Sequence, residues 1–164
     1  MTLPEQERER FCQVLHHSRT SLYRLAFSIT QNSSDAQEAV AEAVCRAYER
    51  YPQLREKEKL PRWLLKITAN EARRLCQRRG RTVSLDDLPT EPAIPGRETG
   101  DDTLWQAVQT LPRDQREAVV LFYYEDLPTE EIARIVGTSP GAVRVRLSRA
   151  REKLRSILKE GDYG

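Results

Sequence analysis

Apolar residues recur every three or four positions through most of this 164-residue chain, the spacing of helices that bury one face. In the first half such stripes lie over residues 11–29, 35–51 and 61–79. Ser34 or Asp35 is the expected N-cap of the second helix, and prolines end that helix and open the third. The first half is therefore predicted to contain three amphipathic helices.

The second half continues the helical pattern. A short helix is predicted over residues 103–110, and a longer one opens at Leu111-Pro112 and runs to about Glu125. β-Branched residues are scattered, and no Asn-Gly or Asp-Gly turn separates alternating apolar runs. The fold is therefore predicted to be all-α.

Residues 129–159 predict two helices joined by a tight turn. Thr129 is the expected N-cap of the first helix, and Gly137 can supply the left-handed residue that ends it. Ser139 and Pro140 fit the N-cap and first position of the next helix. This is the pattern of a helix-turn-helix.

The last helix is strongly basic. Between Ser139 and Lys159 there are seven arginine and lysine residues and a single acid, Glu152. Residues 103–138, by contrast, carry a net charge of −3. Basic helix faces are often merely solvated, but charge segregated in this way favours DNA, whose phosphates release counterions on binding. The helix over residues 61–79 is also rich in arginine. The chain thus holds two separate basic helices.

Residues 82–102 differ from both halves in composition. They contain six acids against one base, with three prolines and two glycines and no sustained periodicity. Such a segment is typical of an extended linker. We therefore expect two small helical domains, residues 1–81 and 103–164, joined by a flexible acidic linker.

Motifs and composition disfavour an enzyme, a metalloprotein or a membrane protein. No Gly-rich phosphate loop and no GxSxG turn is present, so no catalytic residue and no cofactor is expected. Cys12, Cys45 and Cys76 lack CxxC spacing and are expected to be small packing residues, with no metal site. No apolar run is long enough to cross a membrane and no signal pattern opens the chain, which predicts a cytoplasmic protein.

Three stretches of sequence resemble RNA polymerase sigma factors of the sigma-70 family, extracytoplasmic-function type. SLYRLAFSITQNSSDAQEAVAEAVCRAYERY is similar to the opening of region 2, and LPRWLLKITANEARRLCQRR to its promoter-melting segment. LPRDQREAVVLFYYEDLPTEEIARIVGTSPGAVRVRLSRAREKLR resembles region 4, including the lead-in and ending that a generic helix-turn-helix would not share. The resemblance implies a protein that directs RNA polymerase to promoters.

For the C-terminal domain the resemblance implies duplex recognition of the −35 promoter element. Arg144, Ser148 and Arg149 would lie at bases or nearby phosphates, because an arginine fork can bind guanine through two hydrogen bonds. Arg146, Arg151 and Arg155 would position the helix on phosphates. The full set expected at this element is Ser139, Arg144, Arg146, Ser148, Arg149 and Arg151.

For the N-terminal domain the resemblance implies single-strand recognition and melting of the −10 element by the loop 54–60 and the following helix. Asn70 could read a base edge, or could instead be a helix cap or a buried amide. Trp63 is expected in the core, with base stacking as the alternative. The full set expected at this element is Lys59, Arg62, Asn70, Arg73, Arg74 and Arg78.

Three acids, Asp35, Glu38 and Glu42, correspond by resemblance to the surface that docks on core RNA polymerase, although a merely solvated face is the alternative. The expected partners are core RNA polymerase, promoter DNA and an anti-sigma factor. No membrane insertion is expected, and the free protein is expected to be a monomer.

Some positions depart from the family pattern. Ala39, Ala41 and Cys45 replace residues common in the polymerase-binding helix, and Val145 replaces a common serine in the recognition helix. Two other functions therefore stay open. One is a helix-turn-helix regulator that binds duplex DNA alone, and the other is a sigma-like protein that binds polymerase or an inhibitor without directing initiation.

Overall fold

The computed structural model describes residues 3–80 and 102–162, and the chain divides into two compact units, Met1–Ile94 and Pro95–Gly164. Every regular element in the described ranges is helical and none is a strand, which confirms the all-α prediction. The division falls within the predicted linker 82–102, and nearly all of that linker lies outside the described residues. The domain bounds 1–81 and 103–164 stay predictions.

The N-terminal unit is a bundle in which each of three helices packs on the other two. These are α1 (Glu5–Thr30), α2 (Ser33–Arg50) and α3 (Leu60–Arg79), with short 3₁₀ turns at Tyr51–Gln53 and Lys57–Lys59. α2 faces the core with alanines, which let its neighbours approach closely. The fully buried residues of that stripe are Ala36, Ala39, Ala43 and Ala47.

The turn between α1 and α2 differs from its prediction. Gln31 adopts a left-handed conformation, with φ 55° and ψ 28°, and ends α1. The Oδ1 atom of Asn32 then accepts a hydrogen bond of 2.9 Å from the amide of Asp35. Asn32 is therefore the N-cap of α2, and the predicted cap at Ser34 or Asp35 was wrong because both lie inside the helix.

Replacing Asn32 with alanine is expected to lower the free energy of unfolding of the N-terminal unit by about 1 kcal/mol, because one first-turn amide loses its acceptor. Chemical denaturation of the full chain, followed by circular dichroism, measures this change. Ser34→Ala is the matched control, since Ser34 is exposed and does not cap the helix. Equal losses in the two variants would contradict the assignment of the cap.

The cysteine prediction also needs correction. Cys12 and Cys45 are exposed, so they are not packing residues. Both lie on helical positions that face away from the core of the bundle. Cys76 is half-buried, and its thiol lies 3.5 Å from the carbonyl oxygen of Ile29.

The C-terminal unit is built around its last helix. Its elements are α4 (Asp102–Gln109), α5 (Arg113–Val119), α6 (Thr129–Val136) and α7 (Pro140–Asp162), and a π-helical turn at Val120–Tyr124 extends α5. α4, α5 and α6 all pack on α7. The largest buried side chain is that of Trp105 on α4, which packs edge-on against Tyr124 with ring centroids 5.5 Å apart.

The turn between α6 and α7 is the one predicted from sequence. Gly137 is left-handed, with φ 77° and ψ 44°, and the hydroxyl of Ser139 accepts a hydrogen bond of 3.1 Å from the amide of Ala142. Pro140 is the first residue of α7. The predicted cap of α6 was wrong, because Pro128 occupies the cap position and Thr129 is already helical. A helix-turn-helix is therefore present.

Candidate nucleic-acid interface

α7 has a buried stripe and an exposed face. Its inner side chains fit between α4, α5 and α6, which fixes how the helix is rotated. These buried residues are Val143, Leu147, Ala150 and Leu154. The exposed residues of its first half include Arg144, Val145, Ser148 and Arg149. The rotation set by packing thus decides which basic residues point away from the protein.

Arg144 and Arg149 are both exposed, and neither has an ionic or hydrogen-bonding partner among the residues that the structure describes. Each guanidinium is therefore free to donate to an external acceptor. A planar group with five N–H donors can meet two acceptors at once, as guanine offers in the major groove. Ser148 lies one turn beyond Arg144 and shares its exposed side.

Arg146 and Arg151, by contrast, are held by the protein itself. The Nε atom of Arg146 lies 3.7 Å from a carboxylate oxygen of Asp114. The Nε atom of Arg151 donates to the hydroxyl of Tyr123, and the guanidinium lies 5.7 Å from the centroid of that ring. These two arginines flank the exposed face, and the α5 segment limits how they can turn. Ser139 is exposed but engaged in capping α7.

Val145 lies between the two unpartnered arginines and is 48% exposed. From the sequence, Val145 was expected only to remove a serine hydroxyl from the DNA side of the helix. An exposed apolar side chain in a basic helix can contact the methyl group of thymine. The signal in the sequence was its position outside the buried stripe 143, 147, 150 and 154.

α3 presents a second polar face. Arg62, Lys66, Asn70 and Arg73 follow the spacing of three or four residues that puts side chains on one side of a helix. Asn70 is exposed, and its amide oxygen lies 3.4 Å from a guanidinium nitrogen of Arg73. Asn70 is thus neither a cap nor a buried amide. Lys66 was not among the predicted contacts, although the same spacing could have identified it.

Arg74 and Arg78 lie on a different side of α3 and line a groove of about 460 Å³ between α2 and α3. Arg74 approaches Glu71 at 3.7 Å, and Arg78 approaches Glu38 at 3.9 Å. Trp63 is half-buried, so neither a full core role nor a fully open stacking surface describes it. The predicted −10 residues are therefore divided between an outward face and this groove.

Ion pairs bridge the groove. Arg46 on α2 lies 3.0 Å from Glu71 and 3.3 Å from Glu42. Glu71 is only 5% exposed, so the positive charge beside it compensates much of the cost of burying its carboxylate. The exposed pairs at the mouth of the groove contribute less, because water screens them.

The three acids predicted for the polymerase surface are not equally exposed. Asp35 is 7% exposed, and its carboxylate lies 3.1 Å from Arg79 at the end of α3. Glu38 and Glu42 are exposed on the following turns of α2. Asp35 therefore joins α2 to α3, while Glu38 and Glu42 are accessible to another molecule.

The loop before α3 carries the last predicted contact. Lys59 is exposed and lies 2.6 Å from the carboxylate of Glu56, which is also exposed. Such a pair is easily exchanged for an external partner, because both side chains are solvated. Lys59 directly precedes the first residue of α3.

Comparison with known proteins connects both units to one family. Residues 14–82 match sigma-70 region 2, and residues 101–154 match sigma-70 region 4. The RNA polymerase sigma factor SigV of Bacillus subtilis is 32% identical over 146 residues, which cover 88% of this chain and 88% of SigV. The chain belongs to the sigma-70 family. α2 and α3 thus lie in region 2, and the helix-turn-helix of α6 and α7 lies in region 4.

Other relatives identify the type of sigma factor. The ECF RNA polymerase sigma factor SigE of Mycolicibacterium smegmatis is 31% identical over 148 residues, covering 84% of this chain and 57% of SigE. The sigma factor RpoE of Bartonella quintana, solved in complex with the anti-sigma factor NepR, matches 91% of this chain and 96% of its own with a TM-score of 0.76 and 27% identity. The resemblance to extracytoplasmic-function sigma factors is confirmed.

Two further properties bear on other functional classes. Within residues 3–80 and 102–162, no three histidine, cysteine or acidic side chains come together as metal ligands could. None of the helices in those ranges has the length and apolar character needed to span a bilayer.

Proposed function

We propose that this protein is a sigma factor that brings core RNA polymerase to specific promoters and starts transcription there. The observation that carries the proposal is that sigma-70 regions 2 and 4 occur in order on one chain, each with an exposed basic helix. A regulator that bound duplex DNA alone would need only the second. The chain supplies recognition, and the polymerase supplies the chemistry, so no catalytic residue or cofactor is required of it.

In the C-terminal unit, α7 reads the −35 duplex. The unpartnered Arg144 and Arg149 are suited to bases, with Val145 between them facing a thymine methyl group and Ser148 as a further donor or acceptor. Arg146 and Arg151 are suited to phosphates on either side, since their own side-chain contacts fix their positions. Ser139 lies at the N-terminal end of α7, where backbone amides favour the binding of a phosphate group.

In the N-terminal unit, the outward face of α3 receives the −10 strand after its bases leave the stack. Asn70 offers a donor and an acceptor to a base edge, and Arg62, Lys66 and Arg73 surround it with positive charge. Lys59 extends this surface into the loop. Arg74 and Arg78 contribute from the side of the groove, where the single-stranded backbone would replace Glu71 and Glu38 as their partners.

Core polymerase docks on the exposed acids of α2, Glu38 and Glu42, while Asp35 holds α2 against α3. Complementary charge at such a surface mainly sets the rate and orientation of docking. An anti-sigma factor is the expected regulator, as the NepR complex of the related RpoE suggests. We expect the protein to act in the cytoplasm, where it meets the polymerase, and to be a monomer when free.

Reconstitution with purified core polymerase tests the proposal. The chain is mixed with core enzyme and a library of promoter fragments, and start sites are sequenced while permanganate reports unpaired thymines. We expect starts that share spaced −35 and −10 elements, with strand opening at the latter. Specific duplex binding by the chain alone would instead support the stand-alone regulator. Polymerase binding without strand opening would support the other alternative, a sigma-like protein that binds polymerase without directing initiation.

Reversing two charges tests the docking surface. Glu38→Lys combined with Glu42→Lys is expected to weaken binding to core polymerase by at least tenfold, about 1.4 kcal/mol or more, because like charges would then face each other. Fluorescence anisotropy of labelled chain titrated with core enzyme gives the dissociation constant. Glu9→Lys with Glu49→Lys makes the same change in net charge at other exposed positions. Equal weakening by both pairs of substitutions would mean that binding to core polymerase depends only on the net charge of the chain.

A further inference from the structure

A lysine within the loop between α2 and α3 holds that loop against the end of α2. The ammonium group of Lys57 donates a hydrogen bond to the carbonyl oxygen of Tyr51 and lies 4.1 Å from the centroid of that tyrosine's ring. The amide of Leu54 donates to the same carbonyl at 3.0 Å. One carbonyl at the end of α2 therefore fixes both the start and the middle of the loop.

Tyr51 is held firmly in place beneath Lys57. Its side chain is fully buried, and Phe11 on α1 packs edge-on against it with ring centroids 5.4 Å apart. Burial raises the pKa of the Tyr51 phenol, and the Glu7 carboxylate raises it further, so the ring remains neutral beneath the ammonium group. A cation over an aromatic face is attracted by the electrons of the ring, and more strongly when it is partly shielded from water.

The rest of the loop points outward. Leu60 is fully buried and fixes the far end, while Lys57 is half-buried. Between Leu54 and Leu60 the exposed side chains are those of Arg55, Glu56, Glu58 and Lys59. A short loop with fixed points at Tyr51, Lys57 and Leu60 presents these four groups in one arrangement, because few backbone torsions remain free.

We propose that Lys57 is a positioning residue for base recognition at the −10 element, holding the loop 54–59 so that its exposed polar side chains meet an unstacked base. This inference rests on the proposed −10 role of the N-terminal unit. Lys57 acts through Tyr51 and the loop backbone. Its charge is directed inward to the carbonyl and the ring, which distinguishes it from a lysine that holds phosphate.

The experiment measures base preference separately from affinity. Holoenzyme made from the full chain and core polymerase binds fork-junction DNA with a randomised single-stranded −10 segment, and bound molecules are sequenced. Lys57→Met, which keeps an unbranched stem but removes the donor, is expected to reduce the preference at the recognised base by roughly tenfold. Lys57→Arg, which can bond the carbonyl and cover the ring, is expected to retain most of that preference.

Arg50→Met is the matched control. It removes one positive charge from an exposed residue beside Tyr51 without touching the anchor, and its base preference should equal that of the wild type. Circular dichroism checks that each variant is folded. If Lys57→Met is not, Lys57→Gln, which keeps a donor without the charge, is expected to give a smaller loss of preference than the tenfold stated above.

Two results would overturn the proposal. An equal drop in binding to all sequences in Lys57→Met would identify Lys57 as a backbone contact, and an unchanged preference in the folded variant would show that the anchor does not position the loop. A wild-type holoenzyme with no preference in the junction would be a different failure. It would remove the −10 role of the N-terminal unit itself, and the positioning role with it.

Discussion

Replacing Arg144 and Arg149 together with alanine is expected to lower the preference of the holoenzyme for its −35 element by about 2 to 6 kcal/mol. Each arginine that binds a guanine through two hydrogen bonds contributes roughly 1 to 3 kcal/mol of discrimination, and the two contributions add when the bases are separate. Both side chains are exposed and unpartnered within the described residues, so their loss costs the folded protein little. Binding should therefore fall almost to its value on unrelated duplex.

Competition binding measures this change with a labelled cognate duplex against the same duplex scrambled at −35. The control is Lys153→Ala with Arg155→Ala, which removes two exposed positive charges from the same helix. The control should weaken both duplexes alike and reduce the dependence on salt, because phosphate contacts release counterions whatever the sequence. If the Arg144 and Arg149 variant also weakened both duplexes alike, these residues would hold only the backbone.

Helix limits were predictable where a single residue has no competitor for its role. Gly137 directly follows α6, and Ser139 directly precedes Pro140, a residue that favours the first position of a helix, so the turn could be placed from sequence. The start of α2 lies in the run Asn-Ser-Ser-Asp, in which every residue can cap a helix. The left-handed Gln31 selects Asn32, and nothing in the local sequence favours that conformation for glutamine.

The basic residues show a different limit of sequence reasoning. All the arginines of α7 look alike in the sequence, but packing on α5 places Arg146 beside Asp114 and Arg151 beside Tyr123. Partners that lie on another helix cannot be read from the spacing within one helix. The same holds for Asp35, whose burial depends on Arg79 at the far end of α3. Periodicity identified the helices, but tertiary contacts decide which charges remain available.

The groove between α2 and α3 links two surfaces with separate proposed roles. Arg78 is paired with Glu38, and Arg46 links Glu42 to the buried Glu71. A polymerase surface that binds Glu38 would release Arg78 for the DNA strand. The exposed pair contributes at most about 1 kcal/mol, so this coupling would tune DNA binding rather than switch it.

Replacing Trp105 with alanine is expected to destabilise the C-terminal unit by about 3 to 5 kcal/mol. Trp105 is 2% exposed and is the largest buried side chain of α4, a helix too short to be stable in water by itself. Removing the indole leaves a cavity beside Tyr124 and takes away the largest of the buried apolar side chains of α4, the others being Ala107 and Val108. A small domain with a total stability of about 5 kcal/mol would keep only about 0 to 2 kcal/mol, so a substantial fraction of the unit, up to about half, should be unfolded.

Hydrogen exchange followed by mass spectrometry measures this loss segment by segment in the full chain. Protection should fall across residues 102–162, and −35 binding should weaken with it. Leu104→Ala is the matched control on the same helix, because Leu104 is 38% exposed and its truncation removes little buried surface. Similar losses in the two variants would mean that α4 docks through its whole length. A loss confined to Trp105→Ala would identify the indole as the group that holds α4 in the C-terminal unit.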